Sequence, residues 1–229
     1  MRRVIAIALL STACGTSQAQ EPAERPTEAA ATTSSPPTGS LVWNTYYYVA
    51  SEADYSGSPS ATLFDATCAP MAQVNEAFLN AVCIEGTGRL ADGRAINVDE
   101  TCDCAARCPN GSRVCWRALD ASAPWGLGNR ENALEPFVSW ATDRSVIPSG
   151  EVVYAPEWDG VEIPVVDGLG GFVHDGCFRA DDVGGAIDGD HVDVFVGTRS
   201  MWRAMEGVRP TRSRQHAQVG SPRCAHLRR

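Results

Sequence analysis

Eight cysteines between positions 68 and 224 constrain this chain more than any other feature of its sequence: Cys68, Cys83, Cys102, Cys104, Cys108, Cys115, Cys177 and Cys224. A ninth, Cys14, follows an N-terminal apolar run and leaves the count whether it is modified or cut away, so the remainder is even. An even set in an exported chain is a disulfide framework, and four bridges are expected in an oxidising compartment. Eight cysteines permit too many pairings for the sequence to choose among, so none is assigned. The run Cys102-x-Cys104-x3-Cys108-x6-Cys115 could also close a thiolate zinc tetrahedron. It lacks paired C-x-x-C knuckles, and exported proteins seldom keep thiols reduced, so disulfides are the favoured reading and no metal or other cofactor is expected.

Export is read from the first residues. Met1-Arg2-Arg3 followed by Val4 to Leu10 is a charged start and an apolar stretch far short of the roughly 20 residues that span a bilayer. Residues 1–13 are therefore expected to be a signal peptide. Leu10-Ser11-Thr12-Ala13-Cys14 looks like a bacterial lipobox, with Leu10 one place further back than usual, and makes Cys14 the expected lipidation site. Ser17-Gln18-Ala19 offers a rival cut after Ala19 that would discard Cys14. The lipid-anchored form is favoured, on the periplasmic side of a bacterial membrane, with the outer membrane the expected one. Residues 14–39 are mostly Ala, Thr, Ser, Pro, Gln and Glu, and cannot bury enough apolar surface to order themselves. A flexible tether is expected there, leaving room for one ordinary domain over residues 40–200.

The net charge of −9 argues against nucleic acid or anionic lipid as the main partner, since both need a basic face; an oligosaccharide is compatible. All 19 basic residues are Arg, and the lack of Lys excludes Schiff-base chemistry. Arg203, Arg209, Arg212, Arg214, Arg223, Arg228 and Arg229 gather late, and residues 201–229 read as a solvated Arg-rich tail.

Leu41 to Val49 is rich in aromatic and β-branched residues and reads as a strand. Met71, Val74 and Phe78 recur at helical spacing and predict one short helix. Residues 83–116 alternate turn residues, short apolar pieces and cysteines, which suggests an irregular cross-linked insertion. From Phe137 onward short strands dominate, at residues 137–141, 151–155, 161–166, 176–180 and 191–196, bounded by Pro, Gly or Asp. Many short strands with Gly-rich turns indicate a mainly β sandwich or barrel. Serine hydrolases are set aside because Ser145, Ser149 and Ser200 stand in no nucleophile-elbow pattern, and no phosphate loop precedes a helix.

Acidic residues sit where these strands stop, or within them. In His191 to Val196, alternation puts Val192, Val194 and Val196 on one face and Asp193 with Phe195 on the other, a setting that raises a carboxyl pKa by desolvation. Asp143-Arg144-Ser145-Val146-Ile147-Pro148-Ser149-Gly150, Asp182-Val183-Gly184-Gly185-Ala186-Ile187-Asp188-Gly189 and Val192-Asp193-Val194-Phe195 together resemble the three-aspartate (3D) domain and the C-terminal barrel of membrane-bound lytic transglycosylase A. The close match runs from Trp140 to Gly197, about a quarter of the chain. Tyr46-Tyr47 and Gly86-Thr87-Gly88 are more loosely similar to that family's opening strand and Gly-Thr turn. Asp188 stands where the family usually has a basic residue.

The resemblance implies a six-stranded double-psi β-barrel with a short helix and a disulfide-rich insertion. It also implies cleavage of the bond between N-acetylmuramic acid and N-acetylglucosamine in peptidoglycan, with 1,6-anhydro ring formation. On that reading Asp193 is the acid and base, Asp182 and Asp143 support it, and Gly184, Gly185, Tyr46 and Thr87 contact the glycan. The protein would meet the glycan strand as a monomer and the membrane only through its N-terminal lipid. The competing reading is a non-catalytic barrel that binds wall glycan, or a structural envelope lipoprotein. Asp181, Asp188 and Asp190 read as turn residues, and His174 and His191 as solvated loop histidines.

Overall fold

The computed structural model describes residues 39–229. Cys14, the signal peptide and all but the last residue of the expected tether lie outside the described residues. In chain order the elements are β1 (Ser40–Tyr47), β2 (Ala50–Ser51), β3 (Ala61–Phe64), β4 (Pro70–Val74), α1 (Glu76–Glu85), β5 (Thr87–Arg89), β6 (Ala95–Thr101), β7 (Val114–Ala118), β8 (Ser139–Thr142), β9 (Val152–Ile163), β10 (Phe172–Asp182), β11 (His191–Phe195), α2 (Arg199–Met205) and β12 (Arg214–Val219).

Six of these strands close a barrel in the order β1-β11-β8-β10-β9-β12. The pairs β1/β11 and β8/β10 run parallel and the others antiparallel, so the chain crosses between distant strands rather than winding up and down. This is the mainly β, six-stranded double-psi barrel that the resemblance to the 3D domain implied. Its interior holds Val42, Trp140, Trp158, Phe178, Val192 and Val194, all buried, with Trp140 stacked on Phe178 at 4.4 Å between ring centroids. Alternation in β11 runs as read, with Val192 and Val194 inside and Asp193 outside. α2 covers the barrel with Met201 and Met205, and its first turn is capped by Thr198, whose hydroxyl accepts from the Met201 amide at 3.1 Å.

The C-terminal region departs from expectation. Residues 201–229 are not a tail: β12 lies between β1 and β9 and completes the barrel, and Cys224 is bonded to Cys177 on β10. The strand was hidden because one of its inward residues is polar. Gln215 is fully buried and accepts from the Trp158 indole at 3.1 Å, so hydropathy alternation fails where burial alternation holds.

The second lobe is a four-stranded sheet, β2-β5-β6-β7, a hairpin β3/β4, and α1 packed over Leu63, Val74, Ile96 and Trp116. The expected helix starts later than its periodicity suggested. Met71 and Val74 belong to β4, and Asn75 caps α1 by accepting from the Phe78 amide at 2.8 Å. Bridges Cys68–Cys104, Cys83–Cys108 and Cys102–Cys115 tie this lobe together. All four sulfurs proposed for a zinc site are thus consumed in disulfides, and the cysteine-rich insertion is framed by the paired strands β6 and β7.

Asp181 and Asp182 show how one residue of register separates structure from site. Asp181 is buried against Arg179 in a two-pronged pair, Nε to Oδ1 at 2.6 Å and Nη2 to Oδ2 at 2.8 Å, and accepts from the Ser139 hydroxyl at 2.5 Å. It is a structural ion pair, not a turn residue. Asp181→Asn is expected to cost about 3 kcal/mol, because the buried Arg179 guanidinium loses its two-pronged partner and keeps only the partly exposed Glu135, 3.2 Å away, as a counter-charge. An unchanged urea midpoint would contradict that assignment.

Candidate active site

The row that forms the site runs across four neighbouring strands. Asp182 of β10 and Asp193 of β11 both pair with Ala141 of β8, from opposite sides, and Asp193 pairs in turn with Thr45 of β1. Residues in register across a sheet project to the same face, and two strand spacings separate the backbones of the aspartates by about 9–10 Å. Ala141 between them is small and buried, and it lines the groove together with both aspartates.

This face floors a groove of about 500 Å³ whose other wall is the disulfide-braced lobe. Tyr47, Ala141, Asp182, Gly184, Gly185 and Asp193 line it from the barrel; Glu85, Thr87, Asn97, Asp99 and Arg117 line it from the lobe. Arg117 is held by Glu131 at 2.8 Å, and Thr87 donates to Asn97 Oδ1 at 2.8 Å, so this wall is polar and preorganised. At Gly185 nothing lies within 4 Å of where a Cβ would stand, which leaves the backbone open to a close ligand.

Three carboxyls in the groove favour their neutral forms. Burial pushes Asp193 up to about 7, opposed by the hydrogen bond that its ionised form accepts from the Thr45 hydroxyl, 2.7 Å away. Burial likewise raises Asp182 to about 7, opposed by the bond from the Val183 amide at 2.9 Å and reinforced by the charges of Asp181 and Asp193. Glu85, at the end of α1, is raised to about 8 by burial although it accepts from the Tyr48 amide at 3.0 Å. Beside Asp182 lies the buried Tyr47 hydroxyl, which has no aligned hydrogen-bond partner and is pushed well above the ordinary tyrosine range by burial.

These shifts carry a stability consequence. All three folded-state values lie above those of the unfolded chain, near 4. Their contribution is fully present below about pH 4 and is lost as pH rises through about 7 to 8. The thermal midpoint is therefore expected to fall between pH 5 and about 8, and Glu85→Gln to flatten that fall. A midpoint that rises over this range would contradict the buried neutral carboxyls.

The other expected site residues divide. Gly184, Gly185 and Thr87 line the groove beside Asp182 and Asp193. Asp143 does not: it is half-buried in the turn after β8, accepting from the Ser145 hydroxyl at 2.7 Å, the Gly189 amide at 2.9 Å and the Ser145 amide at 2.8 Å. Those bonds, the Ser145 hydroxyl first, hold its carboxyl below the usual range, and the Gly189 contact ties the turn to the loop that follows Asp182. Tyr46 points into the barrel, where its hydroxyl donates to the Arg209 carbonyl; Tyr47, one residue on, is the tyrosine of the groove.

His174 is buried and bonded to the Phe137 carbonyl at 2.8 Å, and His191 stacks on Trp43, so neither is a solvated loop histidine. Thr45, Tyr47 and Glu85 carry site chemistry that the motifs did not single out. Alternation along β1, with Val42, Asn44 and Tyr46 inward, was the signal that could have put Thr45 and Tyr47 on the outer face.

The fold and this acidic row define a double-psi barrel protein with a second lobe facing its site. A solved structure of the same fold is that of Escherichia coli MltA with bound chitohexaose, at a TM-score of 0.54 and 16% identity, covering 78% of this chain and 71% of that one. MltA from Neisseria gonorrhoeae is similar at a TM-score of 0.44 and 17% identity over 72% of this chain and 53% of that one. LtgG, a lytic transglycosylase of Burkholderia pseudomallei, reaches 0.41 and 16% over 79% and 71%. No curated protein sequence matches the chain. Residues 138–213 match the family model of the 3D domain, so the chain carries a 3D domain built on β8 to α2.

Proposed function

We propose that this protein is a peptidoglycan lytic transglycosylase. The observation that supports it most is Asp193, a carboxyl with a pKa near neutrality at the floor of an open polar groove. Such a group can act as acid and then as base in one reaction. Asp193 gives its proton to the oxygen linking N-acetylmuramic acid to N-acetylglucosamine as that bond breaks. As carboxylate it then takes the proton of the muramic acid 6-hydroxyl, whose oxygen bonds to the anomeric carbon and closes the 1,6-anhydro ring. No water is consumed, and Asp193 ends protonated. Asp182, neutral or sharing charge with Asp193, binds a sugar hydroxyl and disfavours loss of the site's proton. Gly184, Gly185 and Thr87 border the bound strand, and Asp143 acts indirectly by fixing the loop after Asp182.

The chitohexaose bound by E. coli MltA, a protein of the same fold, supports a glycan as ligand. On this reading the protein works in the cell envelope, held by a lipid on Cys14. The test is incubation of purified protein with peptidoglycan and mass spectrometry of the soluble products. Anhydro-muropeptides are expected, released most slowly above about pH 7, where Asp193 ionises. Saturable binding to insoluble wall material without any new anhydro end would make it a glycan-binding barrel instead.

A further inference from the structure

Asp193 is the end of a hydrogen-bonded chain. The Thr45 hydroxyl lies 2.7 Å from Asp193 Oδ1 and 2.8 Å from His191 Nε2, and so joins the two. The His191 ring is fixed on its other side and from above. Its Nδ1 faces the Ala186 carbonyl at 3.1 Å, and Trp43 stacks on it at 3.7 Å with an interplanar angle of 8° while donating through its indole to Asp190 at 3.0 Å.

The Ala186 oxygen can only accept, so Nδ1 must carry a hydrogen. In the neutral ring Nε2 is therefore an acceptor, and the chain runs in one direction: Asp193 O–H to Thr45 Oγ1, and Thr45 O–H to His191 Nε2. In the imidazolium the direction reverses: His191 Nε2–H to Thr45 Oγ1, and Thr45 O–H to the Asp193 carboxylate. The two states differ by one proton passed along the chain. The Asp193 proton goes to Thr45 as the Thr45 proton goes to Nε2, and nothing else changes.

We propose that His191 is a positioning residue for Asp193, using the Thr45 hydroxyl as a proton relay that decides how firmly the acid holds its proton. The proposal rests on Asp193 being the acid and base of the site. Burial lowers the His191 pKa, which favours the neutral, accepting ring and so the protonated acid. The charged and titratable groups around the relay are Asp182, Glu85 and Tyr47 on the Asp193 side, and Asp188 and Asp190 on the His191 side, with Arg214 3.9 Å from Asp190.

The relay predicts shifts of opposite sign. His191→Phe keeps a ring for Trp43 to stack on but removes the acceptor, so Thr45 donates to Asp193 without competition and favours its carboxylate. Thr45→Val removes the donor altogether and favours the neutral acid. Titration of Asp193 in the full chain, followed by NMR of 13C-labelled aspartate carboxyls, should show its pKa lowered by about one unit in His191→Phe and raised by about one unit in Thr45→Val. In the double variant the Thr45 hydroxyl that links position 191 to Asp193 is gone, so the value should equal that of Thr45→Val, and Thr45→Ser should keep the wild-type value. Shifts of the same sign, or a His191→Phe effect that survives in the Thr45→Val background, would overturn the relay. Because the titration needs no substrate, a wild type that releases no anhydro products would remove the proposed function while the carboxyl shifts still decide the relay.

Discussion

Replacing Asp193 by Asn should reduce release of anhydro-muropeptides by at least about 10³-fold, because a positioned acid or base is worth roughly 10²–10⁴ and this one serves in both halves of the reaction. The substitution is nearly isosteric, and the amide can still accept from the Thr45 hydroxyl at the position where Oδ1 lies 2.7 Å away. It also removes a carboxyl that burial holds near 7, so the variant should be more stable than wild type at pH 8. Loss of activity together with gained stability separates a chemical role from a folding defect. Asp182→Asn, which keeps a hydrogen-bonding group in the groove, should cost only about tenfold. Equal product release by wild type and the Asp193 variant would take the acid and base role away from this residue.

The second large effect concerns the bridge between Cys177 and Cys224. Their separation of 47 residues makes it the longest of the four loops closed by disulfides. Chain-entropy reasoning puts its contribution at about 4 kcal/mol. Cys177→Ala with Cys224→Ala should lower the guanidinium midpoint accordingly, with β12 the first element to gain amide hydrogen exchange. That strand reaches the rest of the barrel only through β1 and β9, and the bridge secures the segment just beyond it. A midpoint unmoved by the double substitution would mean that β12 is held by packing alone.

How far the sequence could be read depended on whether a residue's role was written in its neighbours. Asp182 and Asp193 were legible as candidates through the resemblance of the motifs around them to the 3D domain, which also implied the double-psi barrel; strand ends, glycine turns and alternation alone indicated only a sandwich or barrel. Asp143 belongs to the same motif, yet its carboxylate is spent on the Ser145 and Gly189 amides, a use that spacing alone does not distinguish from catalysis. Tyr46 and Tyr47 differ only in parity, which is settled by the register of β1 against β11. Glu85 escaped notice because a glutamate at a helix end is ordinarily solvated, and only the facing barrel buries it. β12 was masked by Gln215, a polar residue whose partner, Trp158, is far away in the chain. Disulfide pairing lay beyond sequence altogether, since it records which loops meet in space.

The row Asp182, Ala141, Asp193, Thr45 also bears on whether the candidate site could be excised as an autonomous module. Its last member comes from β1, near the start of the described chain, whereas the 3D region begins only at residue 138. A fragment spanning that region alone would lack Thr45 and both strands that flank it at the seam, β1 and β12, and would expose the flanks of β11 and β9 instead. The candidate site is thus a product of ring closure, and it comes into being only when strands from both ends of the described residues meet.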